Sequence, residues 1–185
     1  MSDTHVHDPE CAVAHGDVPS PTHPDRALVA AFATPVAAYL LRWARDLGFR
    51  TVLVEPDRDA LGADHREAAD EVVSDPADAS VDGDTDVVVT DHHRDDLGAV
   101  MAPLVTAGPR WVGIMGSARH DPPHVPALRD HGVDEALIAT VHRPIGLDIG
   151  SKAPAEIALA TLAGLLADRN GRSGGFPAKR APTSV

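Results

Sequence analysis

At 185 residues, with a net charge of −12 and an apolar share of 43%, the chain has the size of one domain and enough apolar residues for a core. The acidic balance excludes nonspecific binding to nucleic acid or anionic membrane, which needs clustered Lys and Arg, and no apolar run approaches the ~20 residues of a bilayer span. The lone Cys11 excludes an intrachain disulfide, and the acidic, His-containing start lacks a signal-peptide layout, so the expected location is cytoplasmic.

Residues 1–25 are rich in His, Asp, Pro and Ser without periodicity and read as a flexible extension. His5, His7, Cys11 and His15 could ligate Zn or Cu, or Cys11 could carry a persulfide. Nothing around them predicts the folded shell such a site needs, and no metal site is assigned. From Arg26 the pattern changes. Ala27–Ala31 reads as a strand, Thr34-Pro35 as an N-cap with its first helical residue, and Val36–Leu47 as a helix with Tyr39, Leu40 and Trp43 on one face. Thr51–Val54 is a β-branched strand ending at Glu55, and Glu71–Val73 and Asp86–Thr90 are further strands. Asp95–Thr106 reads as a helix despite Pro103, Arg110–Ile114 as a strand, His124–Asp130 as a helix and Ala136–Thr140 as a strand. A helix over Pro154–Ala167 closes the domain, and residues 169–185 read as a flexible tail. Strands alternating with helices over 26–168 predict a doubly wound, mainly parallel α/β sheet of Rossmann-like type, with ligands at the carboxyl ends of its strands.

Three stretches carry chemistry. Gly146 and Gly150 bracket Asp148 in the run PIGLDIG, which places a carboxylate and free N–H groups at the mouth of the Pro154 helix. The same residues would also make a tight connection with Asp148 bonding its own turn. In WVGIMGSAR, an apolar strand breaks at Gly116-Ser117 and is followed by Arg119, so backbone N–H groups, a hydroxyl and a guanidinium can meet an anion. Asp91, His92 and His93 follow the Asp86 strand as polar contacts or acid–base groups, or as an ordinary surface loop. The first strand–helix turn lacks the glycines a pyrophosphate needs. Glu55 stands where an acid bonds a ribose hydroxyl, or where a solvated charge simply ends a strand.

Trp111–His120 (WVGIMGSARH) and His142–Ala158 (HRPIGLDIGSKAPAEIA) resemble the Rossmann-type domain of the XdhC/CoxI family, accessory proteins that mature molybdenum hydroxylases such as xanthine dehydrogenase and carbon monoxide dehydrogenase. The resemblance covers roughly Arg26 to Ala167 and is strongest after Asp86. It implies a carrier rather than a turnover enzyme. Such a carrier binds molybdopterin, protects it during sulfuration and delivers it to the apoenzyme, with a cysteine desulfurase as a second partner. The Asp148 turn, the Gly116-Ser117 turn and Arg119 would hold the pterin's phosphate and polar edge. The sequence departs from the family in three places. Ala31-Phe32-Ala33-Thr34 replaces the G-A-G-H turn, and Ala118 replaces the first of two adjacent basic residues. The segment with a G-S-x-P-R-x-x-G-like motif that usually precedes the domain is replaced by about 25 irregular residues; either a separate polypeptide supplies it, or the chain retains the fold and has lost cofactor handling. Two other readings stand beside this one. The α/β pattern and Glu55 permit an NAD(P)-dependent oxidoreductase, although there is no Tyr-x-x-x-Lys pair, and a noncatalytic partner-binding module explains the lost glycines. The small-residue helix from Pro154 offers a homodimer surface and equally a packing face for its own sheet.

Overall fold

The computed structural model describes residues 25–117 and 119–175; the His5, His7, Cys11 and His15 group and the chain beyond residue 175 lie outside the described residues. One sheet holds β1 (Ala27–Ala31), β2 (Arg50–Val54), β3 (Glu71–Val73), β4 (Thr85–Val89) and β5 (Trp111–Ile114). All neighbours pair in parallel, in the order β3-β2-β1-β4-β5. The helices are α1 (Pro35–Asp46), α2 (Ala63–Ala68), α3 (Leu97–Thr106), α4 (His124–Asp130), α5 (Glu135–Ile138) and α6 (Pro154–Arg169). This is the doubly wound, Rossmann-like α/β fold that the alternation of elements predicts.

The strand sequences explain the layering. A central parallel strand has no solvent face, so β1 is the unbroken apolar run ALVAA, buried throughout. Leu28 and Ala30 turn to the side covered by α1 and α6, where Leu40, Leu41, Ala158, Leu162 and Leu165 pack. Val29 and Ala31 turn to the side covered by α3 and α4, against Val100, Met101, Leu104 and Leu128. Thr34 caps α1 by accepting the Ala37 N–H at 3.1 Å, and Pro35 takes the first helical position.

The structure corrects the sequence reading at several points. The inner stripe of α1 is Ala37, Ala38, Leu40, Leu41 and Ala44, while Tyr39 is exposed and pairs with the half-buried Trp43 at 5.5 Å on the outer edge. Small residues take the inner positions because the helix lies close to the sheet. The predicted strand Ala136–Thr140 is instead the short helix α5: Asp134 accepts the Ala136 N–H at 2.8 Å and nucleates a turn, and a short apolar run carries no period to oppose it. The sheet is extended one step later, by His142, whose N–H donates to the Val112 carbonyl at 2.9 Å while its own carbonyl accepts from Ile114 at 3.0 Å. α3 begins at Leu97 rather than Asp95, and α6 runs to Arg169, which is therefore part of the domain rather than of a tail.

Arg169 has a partner that holds it there. Asp86, fully buried near the start of β4, accepts from Arg110 Nε at 2.6 Å and Arg169 Nε at 2.5 Å, and Arg110 also pairs with Asp168 at 2.7 Å. Burial pushes the Asp86 carboxyl up from its ordinary range, against the pull of the two guanidiniums. The cluster ties the end of α6 to the amino ends of the strands. Removing its acid leaves Arg169 without a carboxylate and Arg110 with Asp168 alone, so Asp86→Ala is expected to cost about 3 kcal/mol in urea unfolding, with the sheet retained by circular dichroism.

Candidate ligand-binding site

Three loops leave the carboxyl side of the sheet on its β4–β5 half. The loop after β4 carries Thr90, Asp91, His92 and His93; the loop after β5 carries Gly116, Ser117 and Arg119; the third follows His142 and carries Gly146, Asp148, Gly150 and Lys152 into α6. Together they line a cavity of about 760 Å³, floored by Val36 of α1 and by Ile157, Ala160 and Thr161 of α6. Its size is that of a site for a cofactor or small organic ligand. Eight of the nine residues singled out from sequence, Asp91, His92, Gly116, Ser117, Arg119, Gly146, Asp148 and Gly150, are brought together here.

Local bonding shapes each loop. Asp91 Oδ1 accepts the His93 N–H at 2.8 Å, and the His92 and His93 rings sit 4.0 Å apart, so one side faces the cavity with two imidazoles. Ser117 Oγ accepts the Arg119 N–H at 3.2 Å and folds the second loop back on itself. Gly146 has φ +88° and lies against α6, where a Cβ would come within 3.3 Å of the Thr161 nitrogen. That approach lets the Leu147 N–H donate to the Ala160 carbonyl at 3.1 Å and pins the Asp148 loop to the helix. Ser151 Oγ accepts the Ala153 N–H at 3.1 Å and donates to Glu156, so part of the helix mouth is already occupied by its own turn. Behind the second loop, Arg143 fills the space that a Gly116 side chain would need: a Cβ there would meet its Nε at 2.8 Å.

Burial, reinforced by His93 and by the Arg143 charge, holds His92 below the ordinary imidazole range. The His92 imidazole lines the cavity together with the Arg119 and Lys152 side chains and the Asp91 and Asp148 carboxylates.

Glu55 is not part of this cavity. It lies on the far side of β1, fully buried, where it accepts from the Ala33 N–H at 2.7 Å, the Asp57 N–H at 2.9 Å and Arg94 Nη2 at 3.1 Å. Arg94 also stands over the buried Phe32 ring at 4.7 Å. Phe32 itself has φ +75°, a left-handed conformation costing about 1 kcal/mol or more in a bulky residue. It is held there because its N–H bonds the Val54 carbonyl at 2.9 Å and its carbonyl takes the Thr90 hydroxyl at 2.9 Å. The first strand–helix turn keeps the left-handed geometry of a glycine-rich turn, but its Ala33 N–H and the nearby acid are satisfied internally.

With this geometry in view, comparison with known proteins decides the family. The model of the XdhC Rossmann domain matches residues 28–165. The chain belongs to this family. An uncharacterized Escherichia coli K12 protein, YqeB, is 39% identical over 69 residues, which are 37% of this chain and 13% of that protein. A crystal structure of a xanthine dehydrogenase from Bacillus halodurans superposes with a TM-score of 0.63 at 25% identity, covering 83% of this chain and 44% of that one. The chain thus spans less than half of either relative.

Sequence reasoning missed three features of this XdhC Rossmann domain. Lys152 was signalled only by its place just after the glycine pair, Thr161 by a polar residue inside an apolar helix stripe, and Arg143 by nothing local, since its role depends on where Gly116 lies. The buried Glu55 network generates one prediction: Glu55→Gln turns an amide donor toward groups that already donate, costing about 2 kcal/mol in urea unfolding and leaving ligand affinity at the 760 Å³ cavity unchanged. The His92 environment generates another. A proton NMR titration should place its pKa below the ordinary value of about 6.5, and Arg143→Gln should move it upward. A lowered folded-state pKa means that the folded protein binds fewer protons, so the His92 contribution to stability is present above the unfolded pKa and is lost as pH falls.

Proposed function

We propose that this domain serves in the maturation of a molybdenum hydroxylase, with its large cavity holding the molybdopterin cofactor during handling and delivery to the apoenzyme. The observation that carries the reading is the mixed donor set converging on one cavity of suitable size: two glycine turns, the hydroxyl of Ser117, the cations Arg119 and Lys152, and the carboxylates Asp91 and Asp148. A phosphorylated pterin needs both kinds of group. Its phosphate calls for N–H, hydroxyl and guanidinium donors, which the Gly116–Arg119 loop supplies, and the amino and ring N–H groups of its pyrimidine edge call for carboxylate acceptors, for which Asp148 is placed. The residues present therefore fit the group. Membership of the XdhC family and the likeness to the Bacillus halodurans xanthine dehydrogenase structure support the same reading.

In this role the chain's own residues bind and orient the cofactor. When bound, the cofactor supplies the molybdenum and dithiolene chemistry of the client enzyme. The partners are the hydroxylase apoenzyme and a cysteine desulfurase. The alternative of NAD(P) binding is disfavoured by the first turn, where Glu55 is occupied by Arg94 and the Ala33 N–H rather than open to a ribose. A noncatalytic partner-binding module would leave the converging donor set without a use.

Anaerobic titration of the purified protein with molybdenum cofactor, with NAD(P)H in parallel, tests the proposal. The expected result is saturable cofactor binding that weakens about tenfold in each of Asp148→Ala and Arg119→Ala, the scale of one lost charge-assisted hydrogen bond. Binding of NAD(P)H alone, or of neither ligand, would overturn it.

A further inference from the structure

We infer that a second cavity, separated from the first by Arg143 and Gly116, is a binding site for a phosphate group, with His124 as hydrogen-bond partner and Arg143 as counter-charge. This site has a volume of about 490 Å³, and its polar lining is His120, His124, Arg129, Glu135 and Arg143. The inference does not rest on the proposed function, because none of these residues lines the large cavity.

Charge accounting inside the cavity leaves one cation without a counter-charge among the described residues. Glu135 is its one carboxylate and is engaged by Arg129, with Nη2 at 2.9 Å. Arg143 has no carboxylate partner among the described residues. Its Nη1 donates to the His120 carbonyl at 3.0 Å, and its Nε and Nη2 are buried without partners against Gly116, so the guanidinium meets this cavity as a charge in its wall. His124 is 4% exposed, and its Nδ1 is likewise buried without a partner. An unpaired buried polar atom carries its full desolvation cost, and one on a cation carries more. Three of them in two neighbouring side chains is an expensive arrangement for packing alone, more so in a chain whose net charge is −12.

Burial, with the Arg143 charge behind it, holds His124 below the ordinary imidazole range, and an anion placed beside both groups would offset each effect. A phosphate dianion gains more from an unneutralised guanidinium than a carboxylate does, and it keeps oxygens free for the imidazole after meeting the cation. The rest of the lining includes Val125, Ile138 and Val141, so the ligand class is a small organic phosphate with a nonpolar body.

The test follows the histidine side-chain NMR signals of the full chain during titration with inorganic phosphate, with acetate as the comparison anion. The expected result is a saturable shift of the His124 resonances and an upward move of its pKa, with affinity about tenfold lower in Arg143→Gln. Because His124 is buried, Arg143→Gln carries the comparison and does not require a core substitution to fold. Asp148→Ala, in the large cavity, is expected to leave the His124 response intact, so loss of cofactor binding there and failure of this site are separate results. An unmoved His124, an equal response to acetate, or an unchanged affinity in Arg143→Gln would overturn the assignment.

Discussion

Everything in this domain is arranged around a strand with no access to water. β1 is paired on both edges and covered on both faces, so its five residues have to be apolar, its backbone groups have to be spent on β2 and β4, and nothing on it can do chemistry. The side chains that solve this problem are small. Alanine at three of the five β1 positions and along the inner stripe of α1 lets helix and sheet approach closely, which is how a chain with 3% aromatic residues still closes two cores. Once β1 is central, the chain must leave it toward β2 on one side and return to β4 on the other. The crevice at the carboxyl ends follows from that reversal.

The two ends of the sheet then divide the work. At the amino ends of the strands, the Asp86, Arg110 and Arg169 cluster joins β4, β5 and the last helix with buried charge. At the carboxyl ends, the three loops are held by short local bonds, Asp91 to His93, Ser117 to Arg119 and Leu147 to Ala160, two of them made by polar side chains that also line the cavity. On the half of the crevice near β2, Glu55 is bound by Arg94, which also holds Asp96, under the constraint of a left-handed Phe32, and the larger cavity lies toward β5.

Much of this was legible in the chain, and the reasons are local. Gly146, Gly150 and Pro154 each announce a backbone requirement that the structure realises, and Gly116-Ser117 marks the end of a strand as a turn does. The loop residues near them could be grouped because strand ends in such a fold converge. Features set by distant partners were not legible. Glu55 looks the same in sequence whether or not an arginine 39 positions away reaches it, and Gly116 gives no sign that Arg143 packs against its Cα. Residues 135–138 failed for another reason. Four residues carry too little periodicity to distinguish a helical turn from an edge strand, and the Asp134 cap decides the outcome. Tyr39 and Trp43 misled because large rings suggest a core, whereas a tightly packed helix over a parallel sheet reserves its inner stripe for alanine and leucine.

The placement of Arg26 has a practical bearing on how the molecule can be handled. Its guanidinium lies over the Phe49 ring at 4.2 Å, with that of Arg169 over the same ring at 5.2 Å, which fixes the entry to β1 at the end of the sheet remote from the loops. A five-residue strand spans about 17 Å. A surface tether or fluorophore attached at Asp25 would therefore orient the domain with its cavity mouth outward, leaving that rim clear.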